Sequence, residues 1–117
     1  MGLRDLAKRL TASVDDIDDE RKRDRFEGLD LVPLDQVQTR VQCTVGGEIT
    51  RTRLTPRSGV HAYEITIDDG KGRLVAVFTG RRHISGMEHH RGLVLEGVAR
   101  MERGHMVMLN PAYTLLP

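Results

Sequence analysis

Aromatic side chains are scarce in this sequence: Phe26, Tyr63, Phe78 and Tyr113 are the whole set, and tryptophan is absent. Proteins that hold single-stranded nucleic acid stack bases on aromatic faces, so a chain with so few must rely on charge for any such task. Cysteine is reduced to Cys43, which excludes an internal disulfide framework and fits a reducing compartment. No apolar run approaches the roughly 20 residues of a membrane helix. The opening "MGLRDLAKRL" is broken by Arg4, Asp5, Lys8 and Arg9, so it lacks a signal peptide's hydrophobic region and the expected location is the cytoplasm. At 117 residues the chain has length for one core and a short appendage.

Lysine is nearly missing from the second part. Residues 40–117 carry 11 Lys/Arg against 7 Asp/Glu, and Lys71 is the one cation among them that is not arginine. Residues 1–39 carry 7 against 10, so a net charge of +1 conceals an acidic beginning and a basic remainder that also holds all five histidines. Arginine presents planar, forked donors that suit phosphate and the faces of bases. The same composition also describes an ordinary solvated surface.

The periodicity divides the chain in the same place. Leu3, Leu6, Ala7, Leu10, Val14 and Ile17 recur at helical spacing, with Ser13 before Asp15 and Asp16 as an alternative N-cap. This predicts a helical appendage over 1–36, ended by Gly28 and Pro33. From residue 37 apolar residues alternate instead. "VQCTV" sets Val41, Cys43 and Val45 on one face, "AYEITID" sets Tyr63, Ile65 and Ile67, and "RLVAVFT" sets Leu74, Ala76 and Phe78. "LVLEGVARM" and "HMVMLNPAY" supply two further runs around Gly104. Five strands with turn signals between them predict a small mainly β domain.

"DDGKGR", between the second and third runs, invites a phosphate-loop reading and fails it. A P-loop needs four residues between its first glycine and Gly-Lys-Ser/Thr, with a helix to follow. Here Arg73 stands at the Ser/Thr position and a strand-like run follows, so Asp69-Gly70 marks a hairpin turn.

Taken in order, these motifs resemble an OB-fold. "VQCTVGGEI" resembles its glycine-bent first strand, "YEITIDDGKGRLVAVF" its second and third strands, and "LVLEGVARMERGHMVMLNPAY" its last two. The pattern is similar to the wedge domain of RecG-type helicases and to tRNA-anticodon-type OB domains. "FTGRRHISGMEHHRGLVLEGVARMERG" resembles small actinobacterial OB-fold nucleic-acid-binding proteins. One departure is His90, which stands where the pattern usually carries glycine. The resemblance spans about residues 37–115 and implies a five-stranded OB-fold barrel that binds nucleic acid without catalysis. DNA and RNA are both open, with single strands favoured.

Such a fold would seat its ligand across the second and third strands, between two loops. The first loop, "TPRSGVH", carries Arg57 and His61, and the second, "MERGH", carries Arg103 and His105. Arg73, Val75 and Val77 alternate against the core set of the third strand, with Arg81 and Arg82 beyond it. Arg51 and Arg53 share parity with core residue Ile49, so they face outward only if a bulge follows Gly46-Gly47. That bulge is expected, because Thr52 and Leu54 would otherwise face out. The binding predicted from these residues is electrostatic and poorly sequence-selective.

The rival expectation is a protein-interaction module. Val75, Val77, Val94 and Val98, or the N-terminal helix, would form an oligomer or docking contact. No metal is expected, since His83, His89 and His90 lack the spacing of a site. Nor is a cofactor or catalytic set expected. Cys43 reads as a small core residue rather than a nucleophile.

Overall fold

The computed structural model describes residues 26–117. The predicted helical appendage, 1–36, lies outside them except for its last stretch, 26–36. Six strands form: β1 (Gln42–Arg57), β2 (Val60–Asp68), β3 (Arg73–Thr79), β4 (Gly92–Glu102), β5 (His105–Leu109) and β6 (Ala112–Leu115). They pair in the order β1–β2–β3–β5–β4, and β4 pairs back onto β1, so five strands close a ring. Every pairing is antiparallel except β3 with β5. Among the described residues no helix is long and apolar enough to cross a membrane.

The glycine pair explains how β1 serves two neighbours. It pairs with β4 over Gln42–Glu48 and with β2 over Glu48–Arg57. A Cβ on Gly47 would lie 2.9 Å from the backbone of Asp68, so only glycine allows this approach. Just beyond the bend, Ile49 pairs with Ile67 and Arg51 with Thr66, leaving Thr50 as a bulge. One extra residue reverses which face each later side chain takes. The expected bulge is present, and Arg51 and Arg53 are exposed because of it.

The inner faces supply the core: Val45 and Ile49, then Tyr63, Ile65 and Ile67, then Leu74, Ala76 and Phe78, closed by Leu93, Leu95, Ala99 and Met108. Each large side chain removed from water contributes about 1.5–3 kcal/mol before entropy is charged against it. Ile84 and Met87, on the connection between β3 and β4, are buried in the same cluster. Alternation does not reveal them, because that connection has none.

One expectation is corrected here: "HMVMLNPAY" is two strands rather than one. Asn110 adopts a φ of 47° and Pro111 has no N–H for a ladder, so the chain turns and β6 pairs with the first half of β4. The Asn110 N–H donates to the Val77 carbonyl at 2.7 Å, and its Oδ1 accepts from the Thr79 N–H at 2.9 Å. Past Gly28, where the sequence predicts the helical pattern to break, the appendage is a loop with a short 3-10 turn, Leu34–Gln36. It docks on the ring: the Val32 N–H donates to the Thr44 carbonyl at 2.9 Å, and Leu34 is buried in the core.

The "DDGKGR" segment is the turn that its sequence predicts, and it also does something local pattern could not show. Asp69 Oδ1 accepts from the Lys71 and Gly72 N–H groups at 2.8 and 2.9 Å. Its Oδ2 accepts from the Leu34 N–H at 2.8 Å and so pins the N-terminal loop beside the turn. His90 takes a φ of 69°, the left-handed region that the glycine of the pattern would occupy without strain. Its Nδ1 lies 2.6 Å from Oε1 of the buried Glu48, which ties this loop to the bend of β1.

Candidate nucleic-acid interface

Two hairpins set the rims of the outer face. The β1–β2 hairpin turns through Ser58 and Gly59, with φ of 50° and 77°, and the β4–β5 hairpin through Arg103 and Gly104, with φ of 50° and 81°. Two successive residues of positive φ make the tight turn whose twist matches the strands it joins. Both hairpins therefore run as paired strands almost to their tips, with Arg57 opposite Val60 and Glu102 opposite His105.

Between the rims lies a cavity of about 650 Å³. β1 contributes Thr50, Arg51 and Arg53. The floor is Glu64 and Thr66 of β2 with Arg73 and Val75 of β3, and the far wall is Gly104, His105 and Met106. The bulge at Thr50 is what brings the two β1 arginines here. Neither makes an ion pair with a described residue. Arg73 Nε lies 3.2 Å from Asp68 Oδ2, but its side chain is 77% exposed, so the pair is a screened surface contact. Three guanidinium groups thus border a hollow containing one carboxylate, Glu64. None of the four aromatics lines it, so it can hold an anion by charge and hydrogen bonds but offers no stacking surface.

Five of the residues predicted for a binding face meet in this cavity: Arg51, Arg53, Arg73, Val75 and His105. The other six do not. Val77, expected in the groove, is 1% exposed and packs with Ala62 and Val107 in a small second apolar cluster. Arg57 is engaged by Glu102 across the two rims, and Arg100 Nη2 donates to the same Oε1 at 2.9 Å. The Arg57 hydrogen bond holds the Glu102 carboxyl below its usual range, against a smaller opposing effect of burial. His61 has the parity of the inner set of β2, and its Nε2 lies 3.2 Å from Arg82 Nη2. Arg82 and the exposed Arg81 therefore belong to a different surface, at the end of β3. Arg103 is exposed at its turn, outside the cavity lining.

The valine face is not one surface either. Val77 is buried, Val75 and Val94 are half-buried, and Val98 is 46% exposed. Val98 borders a separate hollow of about 750 Å³ with Met101, Leu109, Thr39 and Arg40. Cys43 is half-buried against the core, and burial pushes its thiol pKa up, away from the reactive thiolate. Among the described residues no three His, Cys, Asp or Glu side chains are grouped to hold a metal ion.

No family model and no curated protein sequence matches the chain. Its structure is similar to solved ones, among them the OB domain of Ta0387 from Thermoplasma acidophilum, determined in solution by NMR. The two superpose with a TM-score of 0.54 at 15% sequence identity, over 73% of this chain and 85% of that one. Order of strands, closed ring and superposition agree on an OB fold within the described residues.

Proposed function

We propose that this OB domain binds nucleic acid without catalysis, with a single strand lying across Arg51, Arg53 and Arg73 between the two hairpin rims. The observation that carries the reading is the Thr50 bulge, which turns two arginines out of the core parity and onto the floor's open side. A phosphate chain would meet three guanidinium groups there and release its counterions. The likeness of its strand motifs to RecG-type wedge, anticodon-type and small actinobacterial OB domains supports the same reading, and a cytoplasmic location suits it. With no aromatic in the cavity, binding is salt-sensitive, weakly selective between sequences, and common to DNA and RNA strands.

A second reading, a protein-interaction module, rests on a different place. Val98, Met101 and Leu109 are all exposed around the hollow on β4. One experiment separates the two. Fluorescence anisotropy of labelled single-stranded DNA, single-stranded RNA and duplex DNA is followed at low and near-physiological salt. Salt-steep binding of single strands that disappears in R51E/R53E supports the groove. No binding at low salt would sink it, and a change of oligomeric state in V98D would then favour the second reading.

A further inference from the structure

The contact between Arg57, Glu102 and Arg100 joins the outer ends of β1 and β4, strands that pair with each other only over Gln42–Glu48 and Gly92–Val98. Passing from β1 to β4 through β2, β3 and β5 crosses four strand spacings, roughly 19 Å of sheet at ~4.8 Å each. The two rims nevertheless meet in an ion pair, so the outer face curls on itself here. Ala62, Val77 and Val107 are buried on the same outward parity. One carboxylate oxygen accepts from two guanidinium groups, one from each side. That is the donor arrangement of an anion site, filled by the protein's own carboxylate. Carboxylate and phosphate present the same geometry to a guanidinium fork. The site also continues the line of the cavity, because Arg51, Arg53 and Arg57 all take the outward parity of β1.

We propose that Arg57 and Arg100 form a second phosphate subsite of the groove and that Glu102 is its built-in competitor. When a strand binds, a phosphodiester displaces the Glu102 carboxylate and lies between the two guanidinium groups. This rests on the groove reading above and adds a position and a mechanism to it. Glu102 weakens the grip on any strand and restrains binding to ligands that bring enough phosphate to compete.

The test compares Glu102→Gln with Glu88→Gln, the same change of charge on an exposed residue of the β3–β4 connection. Both are titrated with a labelled oligothymidylate against salt, after a thermal melt shows each to be folded. E102Q is expected to bind on the order of three- to tenfold tighter than wild type, with the salt dependence steeper by roughly 0.7 for each phosphate gained. E88Q should stay within about twofold, and the gain should vanish in R57Q/E102Q. Glu102→Asp, which keeps the charge on a shorter arm, should fall between wild type and E102Q. An E102Q that matches E88Q, or binds less tightly than wild type, overturns the subsite while leaving the groove in place. Absence of binding by wild type and every variant removes the groove reading itself.

Discussion

The two halves of the outer face are built from the same strands with the same alternation, yet they have become different surfaces. Toward the bend of β1, Arg51, Arg53, Thr66 and Arg73 border an open hollow. Toward the tip of the β1–β2 hairpin, Arg57 reaches Glu102 and the outward residues Ala62, Val77 and Val107 are buried. Val75 and Val77 are two residues apart on one face of one strand, and the first lines the hollow while the second is sealed. Alternation decides which way a side chain points. Whether anything then covers it depends on how far the sheet curls, and that is settled by contacts distant in sequence.

The difference can be broken most forcefully at its closed end. Val77→Asp places an unpaired charge among Ala62 and Val107 and should cost about 3–5 kcal/mol or abolish folding, whereas Val75→Asp at the hollow should cost less than half of that. Urea midpoints measure both, and equal losses would show that the two halves are not distinct. Next in size is a comparison of equal charge changes. R51E/R53E should lower affinity for a labelled strand by on the order of a hundredfold at low salt, and R81E/R82E by less than about fivefold. Equal losses would mean that net charge, and not the hollow, is what binds.

Gly47→Ala then tests how β1 is steered. Its Cβ would meet rigid Asp68 backbone at 2.9 Å, so a destabilisation of about 1–3 kcal/mol is expected in thermal or urea melts. The smallest effect concerns the clasp. Because Arg57 holds the Glu102 carboxyl below its usual range, the pair stabilises the fold above about pH 4.3, and that contribution fades as pH falls through the lowered value. Wild type should melt slightly above E102Q at neutral pH, and the gap should close in acid. A gap that widens in acid would contradict this assignment.

Much of the framework is legible in the residues. Alternation marks β1 to β5, the misfit of Thr52 and Leu54 with core parity announces the Thr50 bulge, and Asp69-Gly70 reads as a turn. What escapes is set by long-range contacts. Nothing near Leu34 says that Asp69, 35 residues on, will accept its N–H and hold it in the core. Asn110 looks like a residue within a strand until its side chain is seen bound at the end of β3. Of the candidate site, Arg51, Arg53, Arg73 and Val75 point outward as alternation and the bulge predict, the arginines exposed and Val75 half-buried. Arg57 is half-buried against Glu102, Val77 is sealed, and the exposed His61 and Arg82 lie together on another surface, groupings that sequence spacing does not identify.

The most direct test of the central claim is an amide chemical-shift map of the full chain titrated with a short single strand. The account predicts that the shifts cluster on Thr50, Arg51, Arg53, Thr66, Arg73 and His105, with smaller movement at Arg57 and Glu102 as the clasp yields. Shifts centred on Arg81 and Arg82, or on Val98 and Leu109, with the hollow silent, would contradict it.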